Sequence, residues 1–300
     1  MHTKFDKPWF GFICALTATL IWSTNFVLAR GINDLVPPVT LAFLRWTVAV
    51  LVFAPFALKP LRSEWALIRK YRGYLLFCGI LSVSLYNTLI YIAAHTTCTL
   101  NLAVINESTP LFIIIFARLL LKEKFTLLKA VGVALTTFGV LLLISNGNFG
   151  NLLKLSFRIG DLWVLAAAIA FALYSTLIKK RPAEISLVTF IFTTFVLGWL
   201  VLIPFFCWEA ARQQPVIYNL KLLGVVFYLG IFASIIAYIA WTRAVQLIGP
   251  TKSALIYYLL PVFSGIQAII WLHEPLRNIH TISFLLIVTG VIVANQLNRH

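Results

Sequence analysis

Apolar residues along this chain fall into long continuous runs, and polar residues collect in the short segments between them. Each run is about 20 residues long, enough for a helix rising 1.5 Å per residue to cross about 30 Å of hydrocarbon. The pattern therefore predicts an all-α integral membrane protein. Its ten predicted transmembrane helices lie at 9–29, 37–58, 73–94, 100–121, 126–145, 160–179, 185–206, 220–243, 251–272 and 279–296.

The two halves of the chain carry the same landmarks in the same order. Pro110 and Glu123 in the first half correspond to Pro261 and Glu274 in the second, with an offset of 151 residues for both. Because each half holds five helices, an odd number, the second half must enter the bilayer from the opposite side, as in many secondary transporters. The predicted units are two inverted repeats at 1–145 and 159–300, with a connecting loop at 146–158.

Composition and charge agree with a membrane protein. Apolar residues make up 61% of the chain and charged residues 11%, so a soluble domain would have no place for the apolar surface. The net charge of +15 does not indicate a nucleic-acid partner, because most of the 24 lysines and arginines fall in alternate loops. By the positive-inside rule, those loops and both termini are predicted to be cytoplasmic. We expect a multi-pass protein of the inner membrane whose partners are lipid and a small-molecule solute.

No disulfide, metal site or cofactor is expected from the sequence. The cysteines show no C-x-x-C spacing, and the histidines are scattered. The first apolar run is too long, and its WSTN segment too polar, for a cleavable signal peptide, so we expect this helix in the mature protein.

These landmarks, together with WSTNF in the first helix and PPVTLAFLRW at the start of the second, resemble those of the EamA family. That family belongs to the drug/metabolite transporter superfamily, and the resemblance covers nearly the whole chain. It implies a central cavity lined by the first, third and fourth helices of each half. It also implies an arginine at the position of Arg45 and transport of a small metabolite, usually outward.

Polar and aromatic side chains inside the predicted helices are the candidate substrate-binding residues, because a polar group in hydrocarbon needs a cavity or a partner. In repeat register, the matched pairs are Asn25 and Tyr174, Asn87 and Tyr238, Asn106 and Tyr257, and Glu107 and Tyr258. We interpret them as a cavity with amides on one side and tyrosines on the other. The alternative is that the tyrosines and tryptophans form aromatic belts at the membrane surfaces. The full candidate set is Trp22, Asn25, Arg45, Asn87, Tyr91, Asn106, Glu107, Tyr174, Tyr238, Trp241, Tyr257 and Tyr258.

Pro110 and Pro261 are predicted to break the fourth and ninth helices. A proline lacks the N–H donor and crowds the carbonyl four residues earlier, which frees the carbonyls of Asn106 and Tyr257. Such broken helices form substrate sites in many transporters. A purely structural kink is the alternative.

Arg45 and Glu107 are the charged residues predicted to lie within helices, each roughly 10 to 12 Å deep at 1.5 Å per residue. Three roles are open: a structural ion pair, recognition of the solute's charged groups, and proton coupling through Glu107. Glu123 and Glu274 stand instead where one helix ends and the next begins. There a carboxylate can face the positive N-terminal dipole of the next helix, a structural role that we prefer to a gate.

The sequence thus predicts a secondary transporter, not an enzyme, that exports a small organic metabolite such as an amino acid by alternating access. Multidrug efflux and proton-coupled uptake are the alternatives. A membrane-embedded enzyme would need an acid–base pair or metal ligands near the midplane, which the sequence does not provide. A receptor or scaffold would have no use for two kinked inverted repeats. The pattern leaves the solute and the oligomeric state open.

Overall fold

The computed structural model describes residues 7–30, 35–153, 156–212, 216, 219–271 and 276–295. Within these ranges the chain forms ten long helical segments and two short helices, Trp65–Lys70 and Gly150–Leu153. The long segments are α1 (Pro8–Arg30), α2 (Pro38–Ser63), α3 (72–96), α4 (Thr99–Asn106 and Thr109–Leu121), α5 (Leu127–Ile144), α6 (Ile159–Ile178), α7 (Leu187–Ala210), α8 (220–248), α9 (Pro250–Tyr257 and Leu260–Trp271) and α10 (Asn278–Asn295).

The observed helices confirm the predicted fold class, and their ends lie within about five residues of the predicted ones. Counted within the described residues, eight segments are long and apolar enough to cross a membrane, namely α2 to α8 and α10. We call the face at which α1 begins the near face and the opposite face the far face. Successive long helices run in alternating directions between these two faces.

Helices α2 and α7 pack against each other, and a carboxylate from each helix caps the start of the other. Near the end of α7, Glu209 accepts hydrogen bonds from the N–H groups of Val39 at 3.2 Å and Thr40 at 2.7 Å. Just after α2, Glu64 accepts one from the N–H of Ser186 at 2.9 Å. Both carboxylates therefore satisfy N–H groups that the first turn of a helix leaves unpaired, and both face its positive dipole.

Helices α5 and α10 form a closely packed pair at the periphery of the bundle. A Cβ atom on Gly132 would lie 2.6 Å from the Cβ of Ala294, and one on Gly290 would lie 2.7 Å from the carbonyl oxygen of Gly132. Only glycine permits this approach, because any side chain at either position would overlap the neighbouring helix.

Helices α3 and α8 both contain a widened π-helical stretch, at Ile80–Leu85 and Leu229–Ile236. With the repeat offset of 151 residues, the first stretch corresponds to 231–236, so the two overlap in register. A π-helical stretch shifts the hydrogen-bond ladder and commonly occurs at functional sites. Ser82 and Ser234 lie within these stretches, which brings their hydroxyls and carbonyls to the centre of the bundle.

Candidate functional site

Helices α4 and α9 are interrupted at matching positions, and the same hydrogen bonds close both interruptions. In α4, the N–H of Ser108 donates to the carbonyl of Ile105 at 3.0 Å; in α9, the N–H of Leu259 donates to that of Ile256 at 2.9 Å. Each helix resumes one residue before its proline, Pro110 or Pro261. The sequence predicted a break at each proline, with a kink as the alternative. In the structure two residues, 107–108 or 258–259, separate the two halves of each helix, and the proline is the second residue of the new half.

The two breaks lie at the level where contact between α4 and α9 ends. The near-face halves, Thr109–Leu121 and Pro250–Tyr257, pack against each other. On the far side, Thr99–Asn106 packs against α6 and Leu260–Trp271 against α1, and within the described residues these two halves contact each other marginally at most. The conformation is therefore closed between α4 and α9 at the near face and separated at the far face.

An aromatic cluster fills the centre of the bundle and joins helices from both repeats. Trp22 packs edge-on against Phe171, with ring centroids 5.4 Å apart, and Tyr86 stacks on Phe171 at 4.6 Å. The cluster consists of Trp22, Tyr86, Phe171, Tyr174, Tyr238, Trp241 and Tyr257, all of which are buried. This position inside the bundle excludes the aromatic-belt alternative for the predicted members. Five of the rings, those of Phe171, Tyr174, Tyr238, Trp241 and Tyr257, are at most 1% exposed, so in this conformation they are packed core.

Arg45 is buried at the centre of a network that spans both repeats. Its guanidinium donates to Asn87 Oδ1 at 2.7 Å, to the Tyr91 hydroxyl at 2.8 Å, and from two nitrogens to Ser234 Oγ at 2.8 and 3.1 Å. The network continues through the Tyr238 hydroxyl, which donates to the carbonyl of Ser82 at 2.9 Å. Neutral acceptors thus satisfy most of the guanidinium donors, although they do not neutralise its charge.

Arg45 and Glu107 do not form the ion pair that was one of the alternatives from the sequence. The guanidinium is occupied by acceptors on α3 and α8, whereas Glu107 lies at the break of α4. Among the described residues, Glu107 Oε2 has no hydrogen-bond partner, although 91% of the side chain is buried. Similar depth in the membrane was not enough to predict contact, because the two helices present these side chains to different neighbours.

Other polar atoms around the two breaks also lack hydrogen bonds within the described part of the chain. They include Asn106 Oδ1 beside Glu107 and the Tyr258 hydroxyl in the break of α9, which faces the Thr137 hydroxyl on α5 outside hydrogen-bond geometry. Glu107 lies close enough to Tyr257 and Tyr258 to interact with both hydroxyls electrostatically. Burying polar groups without partners costs free energy, so such a concentration is a frequent sign of a binding site.

Two of the predicted site residues, Asn25 and Glu274, fall outside the side chains that the structure describes. Thr126 is the N-cap of α5, its side chain accepting from the N–H of Lys129, and the role of Glu123 at the dipole of α5 stays a prediction. The Glu123 carboxylate also reaches Gly249, where its Oε1 lies 3.1 Å from the position of a Cβ. It therefore lies beside the N-terminus of α9, which is a neighbour of Glu123 in the fold although α5 is the next helix along the chain.

Three polar residues of the centre were missed by the sequence analysis. Ser234 accepts from Arg45, the Tyr86 hydroxyl lies 3.2 Å from that of Tyr257, and Gln267 donates to Ser23 Oγ at 3.0 Å. Each is a polar residue inside an apolar run, and this is the feature of the sequence that could have identified it. Only the packing shows that its side chain faces the interior. Within the described residues, no group of three or more His, Cys, Asp or Glu side chains has a geometry suited to a metal ion.

Comparison with known proteins agrees with this architecture. The model of the EamA-like transporter family matches residues 9–145 and 158–296, one match in each half of the chain. The chain therefore belongs to this family of transporters and is a multi-pass membrane protein, not an enzyme.

Individual relatives match over almost their whole length. The chain is 25% identical to the uncharacterized transporter YyaM of Bacillus subtilis over 291 residues, covering 96% of this chain and 94% of the relative. It is 26% identical to the uncharacterized inner membrane transporter YedA of Escherichia coli over 297 residues, covering 95% and 90%. A crystal structure superposes with a TM-score of 0.76 at 21% identity, covering 96% of this chain and 97% of that one, which establishes likeness of fold.

Proposed function

We propose that this protein exports a small organic metabolite across the inner membrane by alternating access. The solute we propose is an amino acid or a related compact, amphipathic compound. One observation carries the proposal: the matching breaks in α4 and α9, where contact between these helices ends and polar atoms lack partners. The outward direction and the compact solute follow the family resemblance.

The proposed binding position lies between the two breaks. The carboxylate of Glu107 suits an ammonium group, and Asn106 Oδ1 and the Tyr258 hydroxyl can bind further polar groups of the solute. The rings of Trp22 and Tyr257 in the aromatic cluster offer apolar and cation–π contacts next to this position. The carbonyl of Asn106, freed by Pro110, supplies an additional acceptor.

Alternating access then follows from the inverted repeat. In the conformation described, the near halves of α4 and α9 are together and their far halves are separated. Exchange of these roles between the two repeats would open the near face and close the far face around the same site. We assign the near face to the cytoplasm because it collects most of the basic loop residues. Both termini are then cytoplasmic.

Glu107 is our candidate for proton coupling. A single carboxylate cannot hold a proton and an ammonium group at the same time, so binding of one would displace the other. Export of an amine would then be driven by protons entering from outside.

The test is flux from proteoliposomes preloaded with radiolabelled amino acids, with and without a pH gradient. We expect gradient-dependent movement for the wild-type protein and loss of the pH dependence in Glu107→Gln. Glu184→Gln, which removes an exposed carboxylate, is the matched control. Transport of cationic drugs but not of amino acids would favour multidrug efflux. Accumulation of the solute in the same direction as protons would favour proton-coupled uptake.

Sidedness is tested separately, in a background that carries Cys98→Ser and Cys207→Ser, the two cysteines that are not buried. A membrane-impermeant thiol reagent applied to intact cells should label Arg277→Cys and should leave Lys180→Cys unlabelled until the cells are opened. The reverse pattern would invert the assignment of the two faces.

A further inference from the structure

The near face carries a polar cleft that the proposed transport path does not use. Its volume is about 400 Å³, and its lining residues are Glu123, Lys124, Thr126, Lys129, Ile248, Thr251 and Lys252. The residues come from two turns, one between α4 and α5 and the other between α8 and α9. The cleft therefore bridges the two repeats at the point where the near halves of α4 and α9 meet.

Positive charge dominates the cleft. Three lysines line it with a single carboxylate, Glu123. Lys129 is 93% buried, yet its ammonium repels that of Lys252 and is attracted by Glu123, so these three charges lie close together. The ammonium of Lys129 donates one hydrogen bond, to the carbonyl of Lys124 at 3.0 Å. An ammonium has three N–H donors, so within the described part of the chain the other two remain available for a ligand.

Two helix N-termini add to this positive field. Helix α5 begins after Thr126, and α9 begins at Pro250, with Thr251 and Lys252 in its first turn. The first N–H groups of a helix have no partner within it, and their dipoles favour an anion. Three ammonium groups and the hydroxyls of Thr126 and Thr251 around one cleft match the donors that a phosphate group accepts from. The two helix dipoles add to the attraction, although Thr126 already caps α5 and Glu123 lies beside the start of α9.

We propose that this cleft binds a phosphate-bearing anion at the near face. The phosphate belongs either to the headgroup of an anionic phospholipid or to a small soluble phosphate compound. Because Glu123 and Lys124 follow α4 while Thr251 and Lys252 begin α9, a bound phosphate would link these two helices and hold the near face closed. The site is separate from the proposed solute site and does not depend on the identity of the solute.

Binding can be measured as a shift in the thermal unfolding of the purified full-length protein. One arm uses nanodiscs of phosphatidylglycerol and compares them with phosphatidylcholine, whose headgroup carries its own cation. The other arm uses lipid-depleted protein in detergent with sodium phosphate, compared with sodium chloride at the same ionic strength. A ligand that binds the folded state raises the unfolding temperature in proportion to its occupancy.

We expect stabilisation in at least one arm, and the arm identifies the source of the phosphate. In Lys252→Gln and in Lys129→Gln, about ten times more ligand should be needed for the same shift in unfolding temperature. That factor is expected for loss of one charge-assisted hydrogen bond. Lys180→Gln, an exposed lysine outside the cleft, should leave the effect unchanged. Lys252 is only partly buried, so its variant remains informative even if Lys129→Gln folds poorly. Equal stability in all lipids and salts, or equal loss in Lys180→Gln, would overturn the proposal.

Discussion

Arg45 and Glu107 are both charged residues buried inside the bundle, but their surroundings differ completely. Arg45 donates to Asn87, Tyr91 and Ser234, which come from both repeats. Glu107 has a carboxylate oxygen without a partner in the described residues, at a helix break. A satisfied buried charge holds helices together, whereas an unsatisfied one costs stability and is retained for binding. We therefore regard the Arg45 network as structural and the Glu107 site as functional.

The strongest test of this contrast is Arg45→Met. Loss of the guanidinium leaves three neutral buried acceptors on α3 and α8 without their donor, at about 1–3 kcal/mol each, so we expect the free energy of unfolding to fall by at least about 3 kcal/mol. Denaturant unfolding in mixed micelles measures this change. Arg72→Met, at an exposed arginine, should stay within about 0.5 kcal/mol of the wild type. A stable Arg45→Met protein with impaired flux would instead make Arg45 a substrate ligand.

Glu107→Gln should give the opposite pattern. The amide keeps the shape of the side chain and removes a buried charge, so the unfolding free energy should be unchanged or higher. Flux should fall about tenfold or more, because an ionic contact with the solute or the proton is lost. The same micelle unfolding assay, combined with proteoliposome flux, separates the two effects. Normal flux in this variant would remove Glu107 from the transport site.

A matched pair of tyrosine variants sharpens the comparison at the level of a single hydroxyl. Tyr91→Phe removes an acceptor from Arg45 and should cost about 1.5–3 kcal/mol, the range for hydrogen bonds to charged groups. Tyr258→Phe removes a buried hydroxyl without a partner in the described residues and should cost less than about 0.5 kcal/mol. Unfolding of both variants under one condition measures the difference. Equal costs would show that the Tyr258 hydroxyl is bonded in the membrane.

Backbone features of the two repeats agree more closely than their side chains. The breaks at Asn106 and Tyr257 and the π-helical stretches in α3 and α8 recur in register. Charge does not recur: the residue that corresponds to Glu107 is Tyr258, and no arginine of α7 matches Arg45. In the proposed mechanism, the shared backbone would let the two repeats exchange conformations, and the different side chains would let one site recognise an asymmetric solute.

The sequence by itself determined the helices, their number and the inverted repeat. Runs of apolar residues long enough to cross hydrocarbon leave the backbone no alternative to helix, so local composition decides the fold class. It also located both helix breaks, because the effect of proline acts within one turn. The family resemblance, now supported by matches in both halves of the chain, was equally a property of the sequence.

Only the tertiary structure decided which polar residues meet. Depth in the membrane suggested a contact between Arg45 and Glu107, but the guanidinium is taken by Ser234, Asn87 and Tyr91. Glu123 lies beside the start of α9 as well as that of α5, and aromatic rings from both repeats pack at the centre. The rotation of each helix and its packing against other helices, within one repeat for Asn87 and Tyr91 and between repeats for Ser234, set these partners. Hydrophobic periodicity in a helix apolar on all sides does not encode them.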